Sequence, residues 1–410
     1  MMMKNNRFLI LLAANSIYFF SYFQRVAVPG TIFNELQSSF ALSATAVTGL
    51  GSITLLVYGF LQIFAGILSD HFGGFKTFLI GSILLSVSSI IFSFSYTPTM
   101  LFITRAMVGF SASFIYISLI KILTTIYAPQ DFPFYLGVSI VLGYSGGVVA
   151  TYPLERAVYS LGWKNAFLIA GLLCAFFTMI VWPLMSTVKE NYTQKKTFSL
   201  PSLMNVLRNI HALPLLISGP VNFGIYFLFQ STLGKKFLED SCNLSSPQAS
   251  LFTFFMIITN TLFGFLSGYT SRLTGKRKPV LIIATFVTLV ASCMIFINLW
   301  LKGPSVIFLI SYIFLAISAA VSPIYVTSMK ELYPIEVTAT SVGFLNTLCY
   351  LGVSLFTYLA GIILDRFRYS SLEISGIIIY PDRAYLMIFL GCIMFSLISF
   401  LVSFSIRETG

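Results

Sequence analysis

The chain has 410 residues, of which 57% are hydrophobic and only 9% are charged, and its formal net charge is +11. Such a composition excludes a soluble globular domain. The basic residues are spread over short segments between apolar runs, which is typical of positively charged cytoplasmic loops and argues against a nucleic-acid partner.

Apolar runs of membrane-spanning length follow one another along the whole chain. A bilayer core of about 30 Å requires roughly 20 apolar residues per helix. Twelve such runs lie at 8–32, 45–69, 77–95, 99–126, 133–157, 164–187, 213–234, 247–270, 279–300, 304–331, 337–364 and 384–406. We therefore predict an all-α integral membrane protein with twelve transmembrane helices.

A polar stretch after the sixth run divides these helices into two sets of six. We predict an N-terminal six-helix bundle at 1–187, a cytoplasmic linker at 188–212 and a C-terminal six-helix bundle at 213–410. The densest Lys and Arg clusters lie on the linker side, so both termini are expected in the cytoplasm. Richness in Phe and Ile favours a bacterial inner (plasma) membrane, and the first run lacks a cleavage site, so we interpret it as a retained span.

Two loop sequences share one spacing and indicate a duplication. The matching positions are Gly66 with Gly268, Asp70 with Arg272, and Gly73 with Gly275. The segment Tyr127–Gly137 likewise matches Tyr333–Gly343. We therefore predict that the two bundles are pseudo-symmetric, related by an axis along the membrane normal.

The first loop copy, completed by Lys76, resembles the signature loop of the major facilitator superfamily. Arg105, within Leu101-x-x-x-Arg105-x-x-x-Gly109, matches the superfamily's fourth-span motif. The resemblance implies two parallel six-helix halves, a substrate cavity at the bilayer midplane and alternating access. The residues to which we assign gating or structural roles are Asp70, Gly73, Lys76, Arg105, Asp131, Gly268, Arg272 and Gly275.

These roles differ from residue to residue. We expect Asp70 to face the start of the eleventh span and Arg272 to pair with Asp131 when the cytoplasmic side is shut. Arg105 either influences coupling or bonds backbone carbonyls. Close helix contacts are expected at Gly66 and at the small-residue steps Gly143-x-x-x-Gly147 and Gly264-x-x-x-Gly268, either between the halves or within one half.

Arg25 is the most informative single residue. A charge inside a bilayer costs about 2.5–3.5 kcal/mol on insertion scales. Only Arg25 and Arg105 lie well inside the apolar runs, and no Asp or Glu does, which favours an anionic or zwitterionic substrate. Asn15, Tyr18, Tyr22 and Arg25 step along one face of the first helix. The alternative is an arginine that snorkels to the outer headgroups.

A second resemblance involves the first two spans. Tyr22-Phe23-Gln24-Arg25-Val26 and Tyr58-Gly59-Phe60-Leu61-Gln62 are similar to the anion:cation symporter branch of the superfamily. In that branch the arginine contacts the anionic group of the substrate, and this role transfers to Arg25. Gln24 replaces an acid of the branch and Ala112 replaces a glutamate, which removes two candidate proton carriers.

Polar residues also step by four in other spans, for example Asn222, Tyr226 and Gln230 in the seventh. Such a stripe indicates either a polar cavity or hydrogen bonds between helices. The residues that we predict to bind substrate are Arg25, Tyr18, Tyr22, Asn15, Tyr58, Asn222, Tyr226, Gln230 and Asn346.

The function that fits these features is secondary active transport of a small organic anion or zwitterionic metabolite. The alternatives are a multidrug or metabolite efflux transporter of the same superfamily and an intramembrane enzyme. An enzyme is disfavoured because the chain has only two histidines and no catalytic motif. We predict no catalytic residues, no cofactor and no metal. The expected partners are a small-molecule substrate, the lipid bilayer and a co-transported ion, with the protein a monomer.

Overall fold

A computed structural model describes residues 2–128, 130–186, 206 and 208–408. The side chains at 2–6, 63, 67, 70, 133, 186, 265, 268–274, 335, 336 and 339 lie outside the description. In chain order the first helices are α1 (Met2–Ala27), α2 (Phe33–Phe40), α3 (Ala44–Phe72), α4 (Gly74–Ser93), α5 (Pro98–Ile126), α6 (Phe132–Val149), α7 (Tyr152–Leu161) and α8 (Trp163–Ser186).

The second half of the chain contains α9 (Leu213–Leu228), a π-helical turn (Phe229–Leu233), α10 (Gly234–Cys242), α11 (Ser246–Thr274), α12 (Lys278–Trp300), α13 (Ser305–Ala319), α14 (Ser322–Glu331), α15 (Ile335–Arg366), a 3₁₀ turn (Arg368–Ser370) and α16 (Asp382–Ser403). A short antiparallel hairpin, β1 (Leu372–Ile374) with β2 (Ile377–Ile379), precedes α16. The protein is thus helical, as predicted, with one small exception.

Nine helical segments in the described part of the chain are long and apolar enough to cross a membrane. A tenth span results if Phe134–Val149 and Tyr152–Leu161, which meet at a bend of 40°, form one crossing. Two further helices, α1 with 26 residues and α11 with 29, have lengths of about 39 Å and about 44 Å at the usual rise per residue. A total of twelve spans stays a prediction.

The chain divides into two compact units. Unit 1 comprises Met1–Val28 and Ile53–Phe198, and unit 2 comprises Pro29–Ser52 and Ser199–Gly410. The segment Pro29–Ser52 therefore groups with the second half of the chain, although it lies early in the sequence. Helix α3 begins in unit 2 and ends in unit 1.

The helices of each unit pack in the same pattern. In unit 1, α1 packs on α6 and α8, and α4 packs on α5 and α8. In unit 2, α9 packs on α15 and α16, and α12 packs on α13 and α16. If the predicted spans of each unit are numbered from one to six, span one contacts spans five and six, and span three contacts spans four and six. This shared pattern supports the predicted duplication.

The matched loop glycines adopt the same unusual backbone conformation. Gly73 has a φ of 94° between α3 and α4, and Gly275 has a φ of 63° between α11 and α12. A positive φ of this size favours glycine because it has no Cβ. Both positions therefore require glycine for the same reason, a tight turn between two helices.

The matched tyrosines make equivalent contacts within their own units. Tyr127 donates a hydrogen bond to the Arg7 carbonyl at 3.4 Å, and Tyr333 donates one to the Val206 carbonyl at 2.9 Å. In each unit, the tyrosine at the end of the predicted fourth span thus bonds to the backbone near the start of the predicted first span. Burial and the neighbouring Tyr135 raise the pKa of Tyr127 to about 12, so this hydroxyl stays a donor in alkaline solution as well.

Close helix packing occurs at one of the expected small-residue steps. A Cβ at Gly143, the first residue of this step, would overlap the Tyr18 ring, and a Cβ at Gly146, which is not part of the step, would overlap the carbonyl of Phe19. The contact therefore joins α6 to α1 within unit 1. The expectation for Gly66 is wrong, since a Cβ there would meet nothing within 4 Å among the described atoms, and at Gly264 the nearest such atom is 3.9 Å away.

The seventh run also differs from its sequence-based description. The run predicted at 213–234 continues as a helical segment to Cys242, interrupted by the π turn. This segment carries Lys235, Lys236 and Asp240, and these side chains are largely withdrawn from solvent. Asp240 lies close to the C-terminal end of this segment, so the expectation that no acid lies well inside a span is not contradicted.

Candidate functional site

Arg25 lies near the end of α1 and is buried, with 3% of its surface exposed. Its Nε donates to the carbonyl of Ser21 one turn earlier, at 3.3 Å. The guanidinium carbon lies 4.7 Å from the ring centroid of Tyr22 and 4.5 Å from that of Tyr58, over both ring faces. Contacts of this kind stabilise a cation electrostatically without cancelling its charge.

Five tyrosines surround this position, and we call them the tyrosine cluster: Tyr18, Tyr22, Tyr58, Tyr116 and Tyr144. They come from four helices of unit 1, namely α1, α3, α5 and α6. The rings of Tyr18 and Tyr116 stack with centroids 5.4 Å apart, and those of Tyr22 and Tyr144 lie 4.4 Å apart with an angle of 30°. The side chains of Tyr22 and Tyr144 also share a hydrogen bond.

Sequence reasoning found three members of the tyrosine cluster and missed two. Tyr18, Tyr22 and Tyr58 were expected from polar steps within one helix, whereas Tyr116 and Tyr144 have no such companions. The available signal was that Tyr116 is the single tyrosine in the run 99–126. Both missed rings are half-buried, whereas Tyr18, Tyr22 and Tyr58 are buried.

Two predicted neighbours of Arg25 have local partners in the structure. The Gln62 amide donates to the hydroxyl of Tyr58 at 2.7 Å, which orients that ring. The Asn15 amide donates to the Leu11 carbonyl of its own helix at 2.8 Å. The Asn15 oxygen is buried and has no hydrogen-bond partner within the described residues.

Arg105 is fully buried and directed at the neighbour of Arg25. Its two terminal nitrogens donate to the side-chain oxygen of Gln24 at 3.2 Å and to the Gln24 carbonyl at 2.8 Å. These bonds tie α5 to α1 next to the site. Because Gln24 and Arg25 are consecutive residues on a helix, their side chains leave α1 in different directions. The geometry fits a positioning role for Arg105.

Unit 2 has a polar stripe of its own on α9 and the π turn. Asn222, Tyr226 and Gln230 are buried, with exposed fractions of 2%, 1% and 3%. The amide nitrogens and oxygens of Asn222 and Gln230 have no hydrogen-bond partner in the described part of the chain. Buried amides are almost always hydrogen-bonded, so these two groups are suited to a bound polar molecule. Asn346 is half-buried on α15.

A second set of buried charges in unit 2 was not foreseen. Lys236 donates to Asp240 at 2.7 Å and to the Ile378 carbonyl at 2.6 Å. The other oxygen of Asp240 accepts from the Tyr385 hydroxyl at 2.6 Å and from the Tyr380 N–H at 3.0 Å. We call this the Lys236–Asp240 network. Its bonds are short and satisfy both oxygens of the carboxylate, which indicates a structural element.

The segment Pro29–Ser52 is held to the rest of unit 2 by specific bonds. The Lys235 ammonium donates to the Thr31 carbonyl at 2.6 Å, and the Gly30 N–H donates to the Ser231 carbonyl at 2.9 Å. The carboxylate of Asp365 accepts from the N–H groups of Ala44 and Thr45, each at 2.8 Å. A carboxylate at a helix N-terminus satisfies N–H groups that have no partner within the helix.

The residues expected to gate the cytoplasmic side are only partly described. The side chains of Asp70 and Arg272, and the surroundings of Gly268, lie outside the described residues. Asp131 precedes α6, is exposed and makes no side-chain capping bond. Lys76 is exposed near the start of α4. The predicted pairing of Arg272 with Asp131 stays a prediction.

The described side chains include no cluster of three or more His, Cys, Asp or Glu residues that could hold a metal ion. Within unit 1, the site consists of a guanidinium, phenol groups and aromatic faces. Such groups bind an anion and order an organic molecule by stacking and hydrogen bonds.

Comparisons with known proteins identify the family. The model of the Major Facilitator Superfamily matches residues 14–357. The chain is 23% identical over 365 residues to the uncharacterized MFS-type transporter YcxA of Bacillus subtilis (strain 168), covering 84% of this chain and 81% of that one. It is 27% identical over 237 residues to the quinolone resistance protein NorB of Staphylococcus aureus (strain Newman), covering 56% of this chain and about half of NorB, 49%.

The fold is shared with solved structures of the same kind. A bacterial homologue of the human lysosomal transporter Spinster, crystallised in an inward-facing and unoccupied conformation, superposes with a TM-score of 0.77 at 17% identity. The match covers 98% of both chains. Together with the family match over most of the sequence, this establishes a transporter fold rather than an enzyme. The chain belongs to the Major Facilitator Superfamily and is a multi-pass membrane transporter.

Proposed function

We propose that this transporter carries a small organic anion or a zwitterionic metabolite, and that Arg25 binds the anionic group of the substrate. The observation that carries the proposal is a buried guanidinium placed over the faces of Tyr22 and Tyr58 on helices of a transport protein. A carboxylate or phosphate binds a guanidinium through two parallel charge-assisted hydrogen bonds. The snorkelling alternative fits poorly, because the side chain is turned onto rings of its own unit.

The polar stripe of unit 2 forms a separate part of the proposal. Asn222 and Gln230 each offer a donor and an acceptor, and these atoms have no partner among the residues that the structure describes. We assign them hydrogen bonds to polar groups of the substrate. A site that hydrogen-bonds a substrate discriminates strongly against analogues that lack those groups.

Architecture and energy source form part of the proposal. Helices α1 and α11, added to the ten candidate spans, give twelve spans in two six-helix halves, with both termini in the cytoplasm of a bacterial cell. The protein acts as a monomer by alternating access and takes its energy from a co-transported ion or a counter-substrate. Gln24 and Ala112, which stand where the resembled branch has acids, argue against a proton route through those two positions.

The decisive test is substrate-induced stabilisation of the purified full-length protein. A ligand that binds the folded state raises its apparent stability, so a panel of organic anions, amino acids, nucleosides and lipophilic cations is screened by thermal unfolding. We expect small anions to stabilise the wild type and to lose this effect in Arg25→Ala. Arg156→Ala is the matched control, because Arg156 is exposed and lies 5.7 Å from the Tyr159 ring centroid.

Transport in proteoliposomes completes the test. An anion that stabilises the protein is expected to be taken up by vesicles containing the wild type and the Arg156→Ala variant, but not by those containing Arg25→Ala. Normal uptake by Arg25→Ala would overturn the proposal. So would a lipophilic cation as the best ligand.

Drug efflux is the second candidate function, favoured by the similarity to NorB, a quinolone resistance protein. Cells that produce an efflux transporter accumulate less of its substrate. We would measure quinolone accumulation in cells that produce the wild type or Arg25→Ala. Lower accumulation in both strains, without uptake of anions by proteoliposomes, would favour drug efflux over the first proposal.

A further inference from the structure

The tyrosine cluster differs from the aromatic packing elsewhere in the chain. The sequence contains 42 Phe and 21 Tyr, so phenylalanine is twice as frequent as tyrosine. All five rings of the tyrosine cluster nevertheless carry a hydroxyl. The Tyr58 hydroxyl accepts from Gln62, and Tyr22 shares a hydrogen bond with Tyr144, so these hydroxyls are polar groups held in place close to one cation.

The arrangement of these rings restricts what can approach Arg25. Tyr22 and Tyr58 both present their faces to the guanidinium carbon. The N–H groups of a guanidinium point outward within its plane, and a carboxylate that accepts two of them lies in that plane. Ring faces around the guanidinium therefore suit a flat group better than a tetrahedral one.

The outer members of the tyrosine cluster provide surfaces for the rest of such a ligand. Tyr116 and Tyr144 are half-buried; the Tyr116 ring stacks on Tyr18, and the Tyr144 ring lies against Tyr22 at a tilt of 30°. Aromatic groups bind one another best in offset-stacked or edge-to-face arrangements with centroids 4.5–7 Å apart. These rings already contact each other at about that spacing, so an aromatic ligand would extend an existing stack.

We propose that the substrate of this transporter is a planar aromatic anion, a carboxylate conjugated to a ring, with its carboxylate on Arg25 and its ring against the tyrosine cluster. This inference rests on the proposed function, because it assumes that Arg25 binds an anion. It adds the shape and the aromatic character of the molecule that carries the charge. The tyrosine hydroxyls then orient polar substituents on the ligand ring.

The test compares ligands that differ only in aromaticity or charge. Benzoate, 4-hydroxybenzoate and indole-3-carboxylate are compared with cyclohexanecarboxylate, which has the charge of benzoate and nearly its size, and with uncharged benzamide. Binding to purified full-length protein is measured by calorimetry. Stacking of one aromatic pair predicts that at least one aromatic anion binds about two- to tenfold more tightly than cyclohexanecarboxylate. Benzamide is expected to bind much more weakly.

Variants of Tyr144 show whether its ring is responsible. Tyr144→Leu removes the aromatic face and is expected to bring the benzoate-to-cyclohexanecarboxylate ratio close to one. Tyr144→Phe keeps the face and is expected to keep the ratio. Tyr159→Leu is the control, because Tyr159 is 77% exposed and lies outside the tyrosine cluster. Tyr116→Leu tests the second stacked pair if Tyr144→Leu does not fold.

The outcomes separate this inference from the proposed function. If no aromatic anion binds more tightly than cyclohexanecarboxylate, while Arg25→Ala abolishes the binding of both, the aromatic inference is wrong and the proposed function stands. If Arg25→Ala leaves anion binding unchanged, both are wrong. A preference that persists in Tyr144→Leu and Tyr116→Leu also overturns the inference, because it would then not originate in the tyrosine cluster.

Discussion

Two buried cations, one in each unit, show two ways of accommodating a charge. Lys236 in unit 2 has an acid of its own helix as partner, and both oxygens of Asp240 are hydrogen-bonded. Arg25 in unit 1 lies over two tyrosine faces and donates to a backbone carbonyl. A carboxylate cancels a positive charge, whereas a ring face only stabilises it. The first arrangement therefore suits a fixed structural element, and the second places the cation against aromatic faces.

Removing the acid of the Lys236–Asp240 network is expected to have the largest effect. Asp240→Asn leaves an unpaired ammonium in a buried position, and we expect a loss of about 3–5 kcal/mol in the free energy of unfolding. The measurement is thermal unfolding of the purified variants followed by circular dichroism.

The double variant Lys236→Met with Asp240→Leu is the control for this prediction. It removes both charges and keeps apolar volume, and such replacements of buried ion pairs are often neutral or stabilising. Recovery of only part of the lost stability is expected, because the Tyr385 hydroxyl, the Tyr380 N–H and the Ile378 carbonyl lose their partners. If Asp240→Asn has the same melting temperature as the wild type, the Lys236–Asp240 network does not stabilise the fold. The comparison between Lys236 as a structural cation and Arg25 would then be wrong.

Arg25→Lys is expected to have the second largest effect, on binding instead of stability. Lysine keeps the charge but loses the planar fork that holds a carboxylate. Hydrogen bonds to charged groups contribute about 1.5–3 kcal/mol, which predicts anion binding weakened by about 10- to 100-fold with an unchanged melting temperature. The control is Arg156→Lys. A large loss of stability in Arg25→Lys would instead indicate a structural arginine.

A third arrangement, a carboxylate at a helix N-terminus, is expected to contribute less. Asp365→Ala removes the acceptors for the Ala44 and Thr45 N–H groups, and loss of such a cap costs about 0.5–2 kcal/mol. Hydrogen exchange should accelerate at these two amides. Glu373→Ala is the matched control, because this acid lies on the exposed hairpin. Equal exchange rates in both variants would contradict the role of Asp365.

The smallest effect is expected at the more exposed ion pair of Arg277 and Glu331. The guanidinium makes two bonds to the carboxylate, at 2.8 Å and 3.2 Å, and this partner raises the pKa of Arg277. Exposed pairs contribute about 0–1 kcal/mol and are screened by salt. A double-mutant cycle with Ala at both positions should give a coupling energy in that range, lower at 1 M salt. A coupling above 2 kcal/mol would show that solvent exposure does not separate this pair from the Lys236–Asp240 network.

Local sequence patterns predicted some of these features well. One example is the pair of turn glycines, Gly73 and Gly275, whose conformation depends on residues close in sequence. Another is the pair Tyr127 and Tyr333, which make one repeated contact. The polar face of α1 also follows from helical spacing alone. Such features can be predicted because helix geometry determines them.

Features that depend on distant segments could not be predicted. Lys235 and Lys236 follow an apolar run and have the composition of a loop, but α2 and the hairpin cover them in the folded protein. Tyr380, which donates its N–H to Asp240, lies 140 residues further along the chain. Tyr116 and Tyr144 join the tyrosine cluster only when α5 and α6 pack on α1. No periodicity within a single span contains that information.

The segment Pro29–Ser52 has a consequence for how this protein can be divided. It is encoded in the first half of the chain but completes unit 2, where it supplies the Thr31 carbonyl to Lys235 and two N–H groups to Asp365. A fragment that begins after the linker would lack these groups and leave buried polar atoms without partners. We therefore expect that the C-terminal half alone does not fold as the intact protein does. Assembly of the protein from two separate fragments therefore requires an N-terminal fragment that includes Pro29–Ser52.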